Sequence, residues 1–196
     1  MNILRLQNFY TILSPFIKIA NKINWRFGRH FKCKNHLLYP VRHLIGPGMI
    51  ILSHKKFELT NFFIKGYWTH VAVIVSSEFV VEATSKGVMK TKFKEFIFTV
   101  DDFVILKPLF CDTNNMKEAS KYVQKVIGSP YNFSFRPCED TFYCSELVYW
   151  AYTKSCEWYD VRNKIPQGIN DFIKGNIIKP QSMFESIQMW SVVQAT

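Results

Sequence analysis

The sequence predicts an α+β fold in a single domain. Segments rich in β-branched residues are grouped in the middle of the chain, whereas segments with helical periodicity lie towards its two ends. The hydrophobic content is 48% and the aromatic content 16%, enough for 196 residues to bury one core. Neither an internal repeat nor a linker divides the chain. We therefore expect one domain over residues 1–196, with a basic extension at 1–45 and the folded core at 46–196.

The extension has an amphipathic helical pattern. Ser14 followed by Pro15 is typical of a helix start, so a second helix is expected there, and Gly28 is a plausible end. The apolar stripe recurs at steps of three and four residues and consists of Ile3, Leu6, Tyr10, Leu13, Ile17 and Ala20. Polar residues interrupt it and no clear cleavage site follows, so we expect a retained segment rather than a signal peptide. Such a segment either packs on the domain or rests on a membrane surface.

The formal net charge of +10 favours an anionic partner, such as a membrane surface or a cell-wall polymer, although it also serves solubility alone. No stretch resembles a nucleic-acid-binding module, and no apolar run is long enough to span a bilayer as a helix. We therefore expect a cytoplasmic or peripherally membrane-associated protein that does not bind nucleic acid. The oligomeric state stays open at this point.

Runs of β-branched and aromatic residues, bounded by turn-forming residues, predict six strands. The predicted strands cover residues 49–52, 69–75, 78–84, 87–92, 102–108 and 189–193. A turn at 46–48 precedes the first strand, and a short polar loop joins the second and third into a β-hairpin.

Three helices are predicted in the second half of the chain. Residues 115–118 resemble a capping box that opens the first helix, and Gly128 ends it. The apolar spacing after Cys144 indicates the second helix. Residues 182–185 resemble another capping box, on a short third helix.

Cys144 stands where an extended segment gives way to an apolar helix. Leu147, Val148, Ala151 and Tyr152 recur at the spacing of one buried helical face, which places Cys144 at or near the first turn. Free backbone N–H groups and the positive end of the helix dipole favour a thiolate there, the reactive form of the side chain. The alternative is a packed structural cysteine, since reduced cysteines are among the most buried residues.

The remaining cysteines are Cys33, Cys111, Cys138 and Cys156. The total of five is odd, and no two cysteines have the Cys-x-x-Cys spacing. We therefore expect reduced thiols, and neither a disulfide framework nor a zinc site. No metal or other cofactor is expected.

A cysteine nucleophile needs a base within hydrogen-bond reach and a group that orients the base. Only His70, of five histidines, begins an apolar strand, and Glu82 interrupts the next strand, where an unpaired carboxylate is costly. Side chains alternate between the faces of a strand, so this pair shares a face only if the hairpin loop is odd or bulged. We predict a three-residue loop at 75–77 that sets His70 directly across from Glu82. The alternatives are a core or strand-end histidine and a solvent-facing glutamate.

In this arrangement the carboxylate holds the imidazole and favours its charged form, while the imidazole exchanges a proton with Cys144. Backbone N–H groups at the start of the helix stabilise the oxyanion that develops in the reaction. We assign Tyr131, Tyr143 and Ser145 to the oxyanion or substrate-binding part of the site. Tyr131 is alternatively an ordinary packed tyrosine.

Five short blocks of sequence, taken together and in their order along the chain, carry a resemblance to known proteins. They are Gly-Pro-Gly-Met-Ile-Ile-Leu from residue 46, Thr-His-Val-Ala-Val-Ile-Val from 69, Val-Val-Glu-Ala-Thr-x-x-Gly-Val from 80, Gly-x-Pro-Tyr-Asn-Phe-x-Phe from 128 and Tyr-Cys-Ser-Glu-Leu-Val-Tyr-x-Ala-Tyr from 143. Together they resemble the YiiX-like cysteine hydrolases, which are circularly permuted members of the NlpC-type papain-like superfamily. The resemblance spans roughly residues 46–155, and a weaker similarity covers residues 180–193. Met49 stands where the family commonly has an aspartate.

The resemblance implies a papain-like fold with a central antiparallel sheet or small barrel packed against helices. It also implies a triad of Cys144, His70 and Glu82, with Tyr131 near the oxyanion. The implied reaction is cleavage of an amide or peptide bond, in cell-wall peptides or lysine-containing amides.

Two other functions stay open. One is a lipid-directed acyltransferase or thioesterase of the lecithin:retinol acyltransferase-like branch, which the basic extension and the 18 phenylalanines favour. The other is a non-catalytic binding module, against which the complete set of cysteine, histidine and glutamate argues.

Overall fold

The computed structural model describes residues 43–55, 66–133, 138, 140–156, 179–185 and 190–193. The predicted helical stripe of the extension lies outside these residues, as does most of the chain between the Cys144 helix and residue 179. The division into an extension at 1–45 and a core at 46–196 stays a prediction.

Within the described residues, six strands form one antiparallel sheet, as predicted. The strands are β1 (Ile50–His54), β2 (His70–Ile74), β3 (Phe79–Thr84), β4 (Gly87–Lys92), β5 (Asp102–Pro108) and β6 (Trp190–Val192). Their order across the sheet is β4-β3-β2-β1-β5-β6. β1 and β2 lie in the middle, which explains why their residues form continuous apolar runs that are buried on both faces.

Four helices accompany the sheet in the described ranges: α1 (Phe93–Thr99), α2 (Thr113–Lys125), α3 (Cys144–Ser155) and α4 (Pro180–Glu185). None of these helices is both long and apolar enough to cross a bilayer. The sequence did not predict α1, whose aromatic-rich composition is more typical of a strand. Its buried residues, Phe93, Phe96 and Ile97, nevertheless have the spacing of one helical face.

The starts of α2 and α4 differ from the predicted capping boxes, and both of those predictions are wrong. The N-cap residue of α2 is Asp112, whose carboxylate accepts a hydrogen bond from the backbone N–H of Asn115 at 2.8 Å. The carboxylate of an aspartate is a preferred acceptor for these unpaired N–H groups, so α2 begins ahead of the predicted position. Helix α4 begins at Pro180, ahead of Ser182, because the fixed φ of proline suits the first helical position.

The sheet carries an apolar layer on each face. On one face, α2 and α3 pack against alternate strand residues such as Leu52, Val71 and Val73. On the other face, α1 packs against the residues between them, such as Ile51 and Ala72. Each fully buried side chain of this kind stabilises the fold by roughly 1.5–3 kcal/mol relative to an exposed one. The layer that contains α2 and α3 therefore holds α3 in place over β2 and β3.

The β2–β3 hairpin has an odd loop, as predicted, but its register is shifted. Ala72, rather than His70, lies directly across from Glu82. The loop consists of residues 76–78 rather than 75–77, because one more residue at the end of β2 stays hydrogen-bonded across the hairpin. The shift moves the pairing by two positions, so His70 and Glu82 remain on the same face and are diagonal neighbours.

The predicted turn at 46–48 leads into β1 through a position that only glycine fits. Gly48 has a φ of 89°, and a Cβ at this position would lie 2.3 Å from the carbonyl oxygen of Met116 in α2. The hydroxyl of Tyr152 in α3 donates a hydrogen bond to the carbonyl oxygen of Gly48. The turn is therefore fixed against both helices.

Candidate active site

Cys144 is the first residue of α3. Tyr143, which precedes it, is extended with φ −91° and ψ 168° and is the N-cap residue. The backbone N–H groups of the first helical turn lack intrahelical partners, and the positive end of the helix dipole lies beside the sulfur. The Cys144 side chain is only 4% exposed, so protein groups rather than water set its chemistry.

The start of α3 meets the sheet where the pairing of β2 with β3 ends. The ladder runs from Ile74 to Ala72, and Val71 and His70 lie beyond its last pair. The backbone N–H of Val71 donates a hydrogen bond to the sulfur of Cys144. The end of this ladder therefore supplies a main-chain donor that stabilises negative charge on the sulfur.

His70 lies between the thiol and a carboxylate. Its Nε2 is 2.8 Å from Oε2 of Glu82, and the imidazole is also hydrogen-bonded to the thiol of Cys144. Because Nε2 is engaged by the carboxylate, Nδ1 is the nitrogen left for the sulfur. The side chains of His70 and Glu82 are 18% and 11% exposed, and the imidazole stacks on Phe96 of α1 with ring centroids 6.1 Å apart. The three side chains thus form one hydrogen-bonded chain.

Thr91 of β4 engages the second oxygen of the carboxylate. Its hydroxyl donates a hydrogen bond to Oε1 of Glu82 at 2.6 Å. Both oxygens of this buried carboxylate therefore have a partner, which offsets the cost of removing it from water. The role of Thr91 could not be predicted from the sequence, because its contact depends on the register of β3 with β4, which places it on the same face as Glu82.

The electrostatics favour a thiolate beside an imidazolium. Burial raises the pKa of the Cys144 thiol, but the hydrogen bond and positive charge of His70 outweigh it, so this pKa lies below its ordinary value. Burial lowers the pKa of His70, whereas the hydrogen bonds to Cys144 and Glu82 raise it, and the resulting pKa is about 10. Burial also raises the pKa of Glu82, but the hydrogen bonds from His70 and Thr91 bring it below its usual range.

The other three residues of the predicted site lie around the start of α3. Ser145 is fully buried, with its Oγ 3.8 Å from Sγ of Cys144. Tyr143 is 2% exposed, so its side chain is part of the protein interior. Tyr131 forms an isolated bridge with Phe142, which brings its main chain beside the segment that leads into α3. The oxyanion and substrate roles of Tyr131, Tyr143 and Ser145 stay predictions.

A second buried carboxylate, which was not among the predicted site residues, lies in the first turn of α3. Glu146 is 3% exposed, and its Oε2 accepts hydrogen bonds from Nδ2 of Asn132 at 2.9 Å and from the backbone N–H of Tyr143 at 3.1 Å. Burial raises the pKa of Glu146 to about 7, although these hydrogen bonds act in the opposite direction. The carboxylate joins the segment after Tyr131 to the first turn of α3. The available signal was a charged residue inside an apolar helix, which is costly without partners.

Comparisons with known proteins identify the fold and the family. The family model of the permuted papain-like amidase enzymes, the YaeF/YiiX or C92 family, matches residues 45–193. No curated protein matches the chain significantly.

Among solved structures, the crystal structure of the metalloprotein YiiX from Escherichia coli O157:H7 is similar to this chain. The two are 18% identical, the match covers 78% of this chain and 98% of that chain, and the TM-score is 0.59. At this identity the likeness shows the fold alone. In the part of this chain that the structure describes, no three His, Cys, Asp or Glu side chains are grouped so that they could hold a metal ion.

Proposed function

The chain belongs to the permuted papain-like amidase family, and from that premise we propose that it hydrolyses an amide bond through Cys144, His70 and Glu82. The observation that carries the proposal is the hydrogen-bonded chain from the sulfur through the imidazole to the carboxylate. Its electrostatics favour the thiolate, which is the nucleophilic form of cysteine. A structural cysteine needs none of these partners.

In the first step, the thiolate of Cys144 attacks the carbonyl carbon of the amide, and the carbonyl oxygen becomes an oxyanion. Backbone N–H groups at the start of α3 are the donors that stabilise this charge. The imidazolium of His70 then gives its Nδ1 proton to the leaving nitrogen. The C–N bond breaks, the amine departs, and the acyl group remains on the sulfur as a thioester.

In the second step, water attacks the thioester carbonyl and gives a proton to the now neutral His70. The C–S bond breaks, the carboxylic acid is released, and Cys144 returns to the thiolate beside a protonated imidazole. Glu82 takes no proton in either step. Its role is to orient the imidazole and to stabilise the positive charge.

For the substrate, we propose a peptide or lysine-type amide of the kind found in cell-wall peptides. The formal net charge of +10 supports a negatively charged polymer, because opposite charge raises the rate of encounter. Lipid-directed acyl transfer would proceed through the same thioester and would differ only in donor and acceptor. A substrate panel therefore has to contain both classes.

The test compares the full chain with Cys144→Ala on aminoacyl amides, muropeptides and acyl lipids. We expect the unmodified chain to hydrolyse amides and Cys144→Ala to lose at least about 1,000-fold in kcat/KM, because the thioester cannot form. The matched control is Cys138→Ala, which removes an exposed cysteine and should leave the activity unchanged. Amide hydrolysis that survives in Cys144→Ala rules out Cys144 as the nucleophile. If the unmodified chain acts on acyl lipids and on no amide, the proposed amide hydrolysis is wrong and lipid-directed acyl transfer takes its place.

A further inference from the structure

The far end of α3 carries a second group of thiols that the proposed reaction does not use. Cys156 is the C-cap residue of α3, and Cys111 lies just ahead of Asp112, the N-cap residue of α2. Nδ2 of Asn115 in α2 donates a hydrogen bond to the carbonyl oxygen of Ser155 at 2.6 Å. The end of α3 and the start of α2 are therefore in contact, with one cysteine on each side.

The side chains of these two cysteines meet. A hydrogen bond links the thiols of Cys111 and Cys156, and both pack in one apolar cluster beside Tyr152. Both are reduced; Cys156 is 8% exposed and Cys111 is partly exposed. The two hydrogen-bonded sulfurs therefore face each other, and a disulfide would bring them to a separation of about 2.05 Å.

The cysteines at the other end of α3 are too far away to be joined to this pair. Helix α3 has 12 residues, and at about 1.5 Å per residue its ends are roughly 18 Å apart. Cys144 and Cys156 are thus separated by more than the Cα distance of about 7 Å that a disulfide spans. Cys138 belongs to the Cys144 end, because its backbone N–H donates to Glu146.

We propose that Cys111 and Cys156 form a reversible disulfide when a low-molecular-weight disulfide is present as the oxidant. One of the two thiols, as its thiolate, attacks one sulfur of the oxidant and forms a mixed disulfide; the released small thiolate takes up a proton. The other thiol then no longer shares a hydrogen bond with a free thiol, loses its proton, and as a thiolate displaces the second small thiolate and closes the protein disulfide. Two protein thiols are oxidised, and one small disulfide is reduced to two thiols.

The bond would join the C-terminal end of α3 to the connection between β5 and α2. It would close the segment from residue 111 to 156, which includes Tyr131 and Cys144. A cross-link of this length restricts the unfolded chain, and we expect the Tm to rise by about 5–10 °C. The inference goes beyond the proposed hydrolase and uses none of its reacting groups.

The experiment uses the full chain with Cys144→Ala, which removes the thiol that would otherwise react first. The protein is equilibrated with oxidised or with reduced glutathione, alkylated, and digested with trypsin without reduction. Trypsin places Cys111, Cys156 and Cys138 on three different peptides, so a link identifies its own members. We expect the Cys111 peptide joined to the Cys156 peptide in the oxidised sample only, together with the higher Tm.

Matched variants separate the link from general oxidation. Cys138→Ala should keep both the linked peptides and the Tm shift, whereas Cys111→Ser and Cys156→Ser should each lose both. Recovery of the two cysteines as separate alkylated or glutathione-modified peptides, from an oxidised sample that still melts cooperatively, overturns the proposal. Because the readout needs no turnover, this failure would leave the proposed amide hydrolysis untouched.

Discussion

The sulfurs beside the two ends of α3 lie in opposite environments. At the first residue, Cys144 meets the imidazole of His70 and the backbone N–H of Val71, and its pKa lies below the ordinary value. Beside the last turn, the hydrogen bond to Cys156, and burial, raise the pKa of Cys111, which precedes α2, far above the ordinary value. Burial acts in the same direction at both ends. The difference lies in what replaces water around the sulfur: donors and positive charge at one end, a second thiol at the other.

This contrast shows that cysteine reactivity is decided by position in the fold rather than by residue type. The thiol at the start of α3 has a lowered pKa, whereas the Cys111 thiol beside the other end of this helix has a raised one. Three changes test the contrast, beginning with the one expected to have the largest effect.

The substitution His70→Ala should raise the pKa of the Cys144 thiol, as the pKa of the Cys111 thiol beside the other end of α3 is raised. Burial then becomes the dominant influence on Cys144, so its pKa rises and the thiolate fraction at neutral pH falls. We expect the rate of alkylation of Cys144 by iodoacetamide to fall at least about 100-fold, because only the thiolate reacts. Exposed Cys138 would compete, because a hydrogen bond with Thr141 lowers its pKa, so both proteins carry Cys138→Ser.

The matched control for that measurement is His54→Ala, since His54 lies at the end of β1 and forms its hydrogen bond to the carbonyl oxygen of Tyr67 instead of to the sulfur. It should leave the alkylation rate of Cys144 unchanged. An unchanged rate in His70→Ala would contradict the thiolate–imidazolium pair.

The substitution Glu146→Gln tests what a buried carboxylate costs at the first end of α3. The pKa of Glu146 is raised from 4.5 to about 7, so the folded state keeps a proton that the unfolded state releases between these values. Stability should therefore decrease as the pH rises from about 5 to about 8, by an amount on the order of 3 kcal/mol. The glutamine oxygen can still accept both hydrogen bonds that Oε2 receives now, and Glu146→Gln should lose this dependence.

Urea unfolding at several pH values measures the effect as the difference in free energy of unfolding between the two proteins. Glu118→Gln is the matched control, because Glu118 is an exposed carboxylate in α2 that pairs with Lys121 at 2.7 Å. If Glu146→Gln and the unmodified chain keep the same pH slope, the buried carboxylate is not its source.

The substitution Thr91→Val should have the smallest effect, because Thr91 is a positioning residue that acts through Glu82. Losing its hydroxyl frees one carboxylate oxygen and loosens the orientation of the imidazole. We expect kcat/KM to fall about 3- to 10-fold, the scale of one hydrogen bond. Thr91→Ser keeps the hydroxyl and should restore most of the activity, and a matching Tm for the two variants separates orientation from stability. Equal kcat/KM in Thr91→Val and Thr91→Ser would show that the Thr91 hydroxyl does not orient Glu82 and His70.

Local patterns in the sequence were enough to locate the first end of α3. The apolar spacing after Cys144 placed it at or near the first turn, and it is the first residue. The α+β class and the permuted papain-like family inferred from the motifs are confirmed by the sheet and by the match over residues 45–193. The parity argument was right that His70 and Glu82 share a face. It could not fix their register, since a shift of two positions leaves the parity unchanged.

Contacts between distant segments were beyond those local patterns. The bond from Thr91 to Glu82 depends on how β4 pairs with β3, and the meeting of Cys111 with Cys156 depends on how α2 packs on α3. Neither is encoded by the periodicity of one segment. Helix α1 was missed for a different reason, because phenylalanine-rich segments favour strands until tertiary packing decides otherwise.

The contact between His70 and Cys144 joins a central strand to a helix that is synthesised much later. A nascent chain therefore displays the imidazole well before the sulfur leaves the ribosome, and the two cannot meet until β2 and α3 have docked. Until then the sulfur is an ordinary thiol, mostly protonated at neutral pH and slow to attack. Folding itself is thus the step that lowers the pKa of this thiol: the sulfur gains its imidazole partner only when β2 and α3 have met.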